Sequence, residues 1–237
     1  MGGVSYLLSG IKLLSKKGIR GYVIVPLLIN VVLFALIIAF AAQQLNGWVE
    51  ALTAWLPAWL DFLGGVMWLL FALLVLVVLI FGFTLLANLI AAPFNAFLSA
   101  AVQRHITGEG PPDSGRSLFG EVIHSIRREL AKLIYYLPRA LLLLLVSLFP
   151  LTTALAPLLW LLFGGWMMAL QYVDYPMDNN GVGFKDMRLR IAEKRFTSLG
   201  FGFAVMFMAF IPLLNLVLMP AAVAGATRYW VEENQTT

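Results

Sequence analysis

The stretch Trp68-Leu-Leu-Phe-Ala-Leu-Leu-Val-Leu-Val-Val-Leu-Ile-Phe81 decides the fold of this chain. It lies within 42 consecutive uncharged residues, between Asp61 and Arg104. A helix rises about 1.5 Å per residue, so about 20 apolar residues cross the roughly 30 Å hydrocarbon core of a bilayer. The run is continuous rather than alternating, which excludes the strands of a transmembrane barrel. The stretch therefore predicts an all-α integral membrane protein.

The composition of the chain supports this class. Its 237 residues are 61% hydrophobic and 12% charged, against about 45–50% and about 25% in soluble domains. A soluble protein of this length cannot cover that much apolar surface. The chain has no cysteine, which excludes disulfides and thiolate metal sites. The net charge of +4 is typical of basic cytoplasmic loops, so we expect no nucleic-acid partner.

Four uncharged tracts carry nearly all the hydrophobicity, and they have unequal lengths. They are residues 22–42, 62–103, 140–173 and 196–227. Prolines interrupt the third and fourth tracts, so each arm of the third has about 15 residues and spans roughly 20–25 Å, too short for a full crossing. We therefore predict two long transmembrane helices and two partly penetrating helical hairpins. Their turns would be buried in protein, because lipid cannot satisfy free backbone groups.

The expected organisation is a single membrane domain over residues 1–237. In chain order it has an amphipathic N-terminal helix (1–21), a first span (22–42), a second span (62–103), an amphipathic helix with the first hairpin (117–173), and an amphipathic helix with the second hairpin (184–227). The amphipathic helices would lie at the membrane interface, and Ser117 could cap the second. Residues 1–21, 103–132 and 174–195 are rich in Lys and Arg, so we place them on the cytoplasmic side, opposite residues 43–61.

Polar residues inside the tracts are the candidates for a translocation pathway, because each is costly in lipid and should face protein or water. They include Asn30, Asn88, Asn95 and Asn215. The alternative for each asparagine is a hydrogen bond between helices. Arg139 either extends its charge to the interface or provides a fixed positive charge for an anion or a partner carboxylate.

Two short segments near the tract ends carry further polar chemistry. At residues 16–21, Lys17, Gly18, Ile19 and Arg20 precede the first span, where free helix N–H groups and Arg20 could hold an oxyanion. The alternative is a positive anchor for the span. Asp174 to Asn180 closes the third tract, and its Asp, Asn and Pro residues predict a turn and helix cap.

Several longer motifs resemble those of a known family. They are Gly18-Ile-Arg20 followed by Pro26-Leu-Leu-Ile-Asn30, Asn88-Leu-Ile-Ala-Ala-Pro-Phe-Asn95, Pro111-Pro-Asp113, Tyr136-Leu-Pro-Arg139-Ala140, Gln171-Tyr-Val-Asp-Tyr-Pro-Met-Asp-Asn179, Ile211-Pro-Leu-Leu-Asn-Leu216, Met219-Pro and Gly225-Ala-Thr. In order and spacing they resemble the CysZ family of bacterial inner-membrane sulfate permeases over almost the whole chain.

The resemblance implies a multi-pass inner-membrane protein with partly penetrating hairpins that assembles as a homo-oligomer among membrane lipids. It also implies that sulfate enters through the protein to supply cysteine synthesis. The family's sulfate-binding motif of glycine, a hydrophobic residue and arginine corresponds to Gly18, Ile19 and Arg20. Relatives often continue with a second basic residue where this chain has Gly21, so Lys17 is the candidate for that charge.

The sequence leaves two function classes open. One is a sulfate transporter or channel, with Arg20 as the first contact and the asparagines and Arg139 along the path. The other is a membrane scaffold or accessory subunit without a path of its own, whose amphipathic helices organise the bilayer. We expect no catalytic residues, no metal and no cofactor, because the chain has neither a nucleophile–base pair nor ligand-type spacing, and it lacks the glycine-rich lysine loop of ATPases.

Overall fold

A computed structural model describes residues 2–54 and 64–234 of the chain, with most of their side chains. Every regular element in these two ranges is a helix, which confirms the predicted all-α class. The helices are α1 (Gly3–Leu14), α2 (Gly21–Thr53), α3 (Gly64–Thr107), α4 (Leu118–Ser147), α5 (Pro150–Thr153), α6 (Ala156–Asn179), α7 (Phe184–Glu193), α8 (Arg195–Ala209) and α9 (Pro212–Asn234).

Three described helices are long and apolar enough to cross a membrane. The qualifying stretches are Gly21–Gln44 in α2, Phe119–Ser147 in α4 and Ala156–Asn179 in α6. The first coincides with the span predicted at 22–42. The span predicted at 62–103 falls on the 44-residue α3, except that residues 62 and 63 lie outside the described ranges.

Three prolines of the third and fourth tracts stand where helices begin. Helix α4 ends at Ser147, and Pro150 and Pro157 lie in the first turns of α5 and α6. Pro212 is the first residue of α9, after α8 has ended at Ala209, whereas Pro220 lies inside α9. Proline has no N–H to donate and its fixed φ suits a first helical turn, which explains the positions of the first three.

The helices on either side of the first break are longer than the predicted arms of about 15 residues. Helix α4 has 30 residues and α6 has 24. The prediction was wrong because it counted only uncharged residues, whereas α4 continues through Arg139 and α6 through Asp174. Trp160 donates to the Ser147 hydroxyl at 3.1 Å, and the rings of Tyr136 and Phe163 stack 5.4 Å apart. These contacts join α4 and α6 into a hairpin, here called hairpin 1.

The turn of hairpin 1 is not buried in protein, contrary to the prediction. Phe149 and Leu148 are 65% and 71% exposed. The Thr152 hydroxyl donates to the carbonyls of Val146 and Phe149, and the Thr153 hydroxyl donates to the Phe149 carbonyl at 2.9 Å. The two threonines thus supply the hydrogen bonds that we expected from surrounding protein, so an apolar turn can face lipid.

The described chain divides into two compact units. The first unit comprises residues 1–24 and 92–237, and its core lies among α1, α6, α8 and α9. Glycines allow these helices to approach closely: a Cβ on Gly202 would lie 1.8 Å from the Gly165 carbonyl oxygen, and one on Gly10 would lie 2.1 Å from the Ala221 carbonyl oxygen. Small residues at helix contacts are the usual basis of packing in membrane proteins.

The apolar face predicted for α1 consists of Val4, Leu7, Leu8, Ile11 and Leu14, and it packs against the core only in part. Leu7 is 1% exposed against α8 and α9, and Ile11 and Leu14 are partly buried against the same core. Val4 and Leu8 are 56% and 51% exposed, whereas Tyr6, outside the predicted face, is 1% exposed. Helix α1 therefore contacts protein on one side and leaves apolar side chains exposed on another.

The second unit, residues 25–91, contains most of α2 and the first part of α3. Its described side chains are largely exposed apolar groups, including Leu36 and Leu69 at 63% each. Water would make this exposure unfavourable, whereas hydrocarbon accommodates it. The unit therefore has the surface of a lipid-embedded helix pair.

Replacing Gly202 by alanine should destabilise the protein, because the new methyl group would collide with the backbone of Gly165. Overpacking typically costs about 1–3 kcal/mol and sometimes more. Gly200→Ala is the matched control on the same helix, since its Cβ would come no closer than 3.8 Å to another atom. Thermal unfolding in detergent measures both; equal midpoints for the two variants would contradict the packing described.

Candidate functional site

The first candidate site is the loop of residues 17–20, here called the Arg20 loop, which joins α1 to α2. Gly18 has a φ of +87°, a left-handed conformation that strains any residue with a Cβ. Ile19 is 1% exposed and anchors the loop in the core. The N–H groups of Ile19 and Arg20 both donate to the Lys16 carbonyl, at 3.1 and 3.3 Å. The loop thus leads directly into the first turn of α2 with its backbone held in place.

The cationic side chains of the Arg20 loop lie outside the core. Lys17 and Arg20 are exposed, and among the described residues neither makes an ion pair or a side-chain hydrogen bond. The start of α2 adds the positive end of a helix dipole. The N–H groups of Tyr22, Val23 and Ile24 donate to the carbonyls of Ile19 and Arg20. What the loop offers an anion is therefore the exposed charge of Lys17 and Arg20 beside the positive end of the α2 dipole.

A second group of polar residues, here called the charge cluster, connects α4 to α6. Arg128 contacts Asp174 at 2.7 Å and Asp178 at 3.4 Å, and Lys132 contacts Asp174 at 3.4 Å. The side chains of Asp174 and Lys132 are only 1% and 4% exposed. His124 completes the cluster with a 2.9 Å contact to Asp178.

Glu129 extends the charge cluster toward α3. It accepts from Lys132 at 2.6 Å, from the Tyr175 hydroxyl at 2.9 Å and from Gln171 at 3.2 Å. The Asn95 side chain donates to the Tyr175 hydroxyl at 3.4 Å. Since Asn95 is 5% exposed, this predicted pathway residue has a hydrogen bond between helices, the alternative that its sequence position left open.

The turn and helix cap predicted at residues 174–180 were only partly right. Asp174 and Asp178 lie inside α6, and the turn begins at Asn180 with Gly181 at a φ of +76°. The charge cluster is not among the sites that the sequence predicts. The spacing of its charges could have indicated it. The two cations, Arg128 and Lys132, are four residues apart, and so are the two acids, Asp174 and Asp178. Each pair therefore shares one helix face.

Arg139 is exposed on α4 and contacts no carboxylate in the part of the chain that the structure describes. Its guanidinium donates to the Tyr135 carbonyl at 2.8 Å and lies 3.6 Å from the centroid of the Tyr135 ring. No described hydrogen bond or ion pair joins Arg139 to Arg20 or Asn95. The structure therefore does not bring these three predicted residues of the first unit into one site.

The remaining pathway candidates are described less completely. Asn30 lies in α2, and its side-chain oxygen is buried without a hydrogen-bond partner among the described residues. Asn88 and Asn215 lie in α3 and α9, and their side chains are outside the part that the structure describes. Their pathway roles stay predictions.

The first unit also contains an open pocket of about 600 Å³ beside the charge cluster. Arg104, Arg116, Glu121 and Asp178 are among its lining residues. Arg116 and Glu121 pair with each other at 3.2 Å, and Ser117 caps α4 by accepting from the Gly120 N–H at 3.2 Å. The pocket wall therefore carries both signs of charge. Among the described residues, no three His, Asp or Glu side chains converge as metal ligands would.

Exposed apolar helices, close glycine packing and buried charges that are paired with one another define an all-helical membrane protein. A family model described as "Sulfate transporter CysZ/Etoposide-induced protein 2.4" matches residues 6–220. The chain belongs to this family, as the motifs indicated.

Individual relatives agree with the family match. A protein of Pseudomonas aeruginosa named "Sulfate transporter CysZ" is 48% identical over 98% of this chain and 96% of its own length. Proteins with the same name from Pseudomonas syringae pv. tomato and Pectobacterium atrosepticum are 47% and 43% identical, over 98% and 97% of this chain and 92% and 84% of their own lengths. These relatives are named as transporters, which agrees with the expectation that the chain is not an enzyme.

Asp174→Asn should destabilise the protein strongly, because it leaves the buried Lys132 and Arg128 with less compensating charge. Breaking a buried pair in this way typically costs about 3–5 kcal/mol. The control is Glu121→Gln, which breaks the more exposed pair with Arg116 and should cost at most about 1 kcal/mol. Chemical or thermal unfolding in detergent measures both. Equal losses would show that the charge cluster does not stabilise the fold.

Proposed function

We propose that this chain carries sulfate across the bacterial inner membrane and so supplies sulfur for cysteine synthesis. Its membership of the family and the names of its relatives support this proposal. The Arg20 loop is the proposed first binding site, with Gly18, Ile19 and Arg20 at its centre and Lys17 as the second charge.

One observation carries the proposed site: the exposed guanidinium of Arg20 has no carboxylate partner among the described residues. By contrast, Arg116, Arg128 and Arg228 are all engaged in ion pairs. A guanidinium offers five donors in a fixed plane, which suits a tetrahedral oxyanion. Gly18, with its φ of +87°, permits the turn by which the chain passes from α1 to Arg20 and α2.

The Arg20 loop can select sulfate by geometry. Sulfate carries two negative charges, and it is bound well when several donors converge without rearranging. The buried Ile19 holds the loop to the core, so these donors need little ordering when the anion arrives. From this loop sulfate would continue along a path for which Asn30, Asn88, Asn95, Arg139 and Asn215 remain the candidates.

We further propose that α2 and α3 are the two full crossings and that hairpin 1 penetrates only partly. Ser147, the end of α4, lies 15 residues after Lys132, a rise of roughly 23 Å, and Asp174 lies 18 residues after the start of α6, a rise of roughly 27 Å. Both lengths are below the hydrocarbon thickness of about 30 Å. The charge cluster would therefore remain near one interface while the turn lies in lipid.

The same argument extends to the second hairpin, formed by α8 and α9. Helix α8 has 15 residues and spans roughly 22 Å, and α9 reaches Arg228 after 16 residues, or roughly 24 Å. The stretches rich in Lys and Arg, which are residues 1–21, 103–132 and 174–195, would share the cytoplasmic side. Like the family, the protein would act as a homo-oligomer among membrane lipids.

The test is sulfate binding and labelled-sulfate flux by the purified protein in liposomes. Wild type should bind sulfate and pass it into the vesicles. Arg20→Ala should lose binding by about tenfold, as expected for loss of a charge-assisted contact, and slow the flux.

The matched control is Arg195→Ala, since Arg195 is also an exposed arginine at the start of a helix. It should bind and transport as wild type does. Normal binding by Arg20→Ala would disprove the site. If wild type gave no flux, the scaffold or accessory role would replace transport.

A further inference from the structure

Two aromatic rings between α4 and α7 are in contact with three arginines. Tyr135 and Phe184 meet edge to face with their centroids 5.9 Å apart. Arg139 lies 3.6 Å and Arg188 4.7 Å from the centroid of Tyr135, while Arg128 lies 5.5 Å from that of Phe184. Three positive charges therefore gather around one pair of rings.

The charges of the three arginines are not compensated equally. Arg128 has two carboxylate partners, Asp174 and Asp178. Arg139 and Arg188 have none among the described residues, and the Nε of Arg188 is buried without any hydrogen-bond partner there. An unsatisfied buried donor on a charged group is destabilising. An oxyanion in contact with Arg139 and Arg188 would supply the negative charge that both side chains lack.

The distances permit one ligand to reach both side chains. The guanidinium carbons of Arg139 and Arg188 lie 3.6 and 4.7 Å from the same point, the centroid of Tyr135. The distance between the two carbons therefore cannot exceed the sum of these two distances. Arg139 uses one of its five donors on the Tyr135 carbonyl. The rest remain available, and two cations so close repel each other until an anion lies between them.

The surroundings favour lipid as the source of that anion. On α4, Leu137 and Leu141 flank Arg139 and are 64% and 57% exposed. On α7, Leu189 next to Arg188 is 57% exposed, in a helix whose other face buries Met187 and Ile191. Exposed leucines beside unpaired arginines match the acyl chains and phosphate of one phospholipid.

We propose that Arg139 and Arg188 form an oxyanion site, separate from the Arg20 loop, that binds the phosphate of an anionic lipid headgroup. Tyr135 holds both guanidinium groups by cation–π contact, and the exposed leucines contact the acyl chains. This role of Arg139 is an alternative to the place on the sulfate path considered for it above. The site needs only a membrane location and is independent of the sulfate proposal.

The test is native mass spectrometry of the purified protein in neutral detergent, with added phosphatidylglycerol and, separately, phosphatidylcholine. Wild type should retain phosphatidylglycerol in preference. Arg139→Gln and Arg188→Gln should each weaken that binding about fivefold or more, from the roughly 1 kcal/mol that one basic residue contributes near an anionic membrane surface. Arg127→Gln removes an exposed arginine from the same helix and should leave binding unchanged.

Two further measurements decide the remaining outcomes. Arg139 is exposed, so its replacement keeps the proposal testable if Arg188→Gln does not fold. Millimolar sodium sulfate should displace the lipid only weakly. Equal lipid binding by wild type and Arg139→Gln would overturn the site. Retention of sulfate but not of phosphatidylglycerol at these arginines would overturn the lipid assignment.

Discussion

Two cations of α4 and a carboxylate of α6 are paired where water hardly reaches. Lys132 and Asp174 have 4% and 1% of their side chains exposed, and Arg128 joins them through Asp174 and Asp178. Each of these charges would be very costly alone in a membrane, and paired they fix α4 against α6 at one level. In the proposed arrangement, the depth of hairpin 1 in the membrane is set by the position of these paired charges near one interface.

Much of the fold could be predicted from apolar tracts and prolines. The tracts have lengths that only membrane helices explain, and proline at 150, 157 and 212 stands in first helical turns, where its missing N–H costs nothing. The prolines at 26, 93, 138, 176 and 220 lie inside helices, so proline alone does not mark a break. The helix lengths could not be predicted by counting uncharged residues, since Arg139 and Asp174 are accommodated inside helices. The exposed turn was missed because Thr152 and Thr153 satisfy carbonyls several residues away, which depends on the folded shape of the turn.

The two candidate anion sites differ in how far the sequence could predict them. Gly18, Ile19 and Arg20 form a contiguous motif, so local pattern and resemblance were enough to select them. The pair of Arg139 and Arg188 is separated by 49 positions of sequence and is joined only through the ring of Tyr135. Contacts between residues so far apart in sequence depend on how the helices pack, and the pattern of residues within one segment does not predict that packing. The same is true of Asn95, whose partner Tyr175 is on another helix.

The proposal that hairpin 1 crosses the membrane only in part is tested directly by cysteine labelling, because the chain has no native cysteine. Ala54, Ala154 and Ala192 are all exposed alanines, at the end of α2, in the turn of hairpin 1 and on α7. Each is replaced singly by cysteine, and a membrane-impermeant maleimide is added to either face of oriented vesicles. Ala54→Cys and Ala192→Cys should react from opposite faces, and Ala154→Cys from neither. Reaction of Ala154→Cys from the same face as Ala54→Cys would show a full crossing and contradict the account.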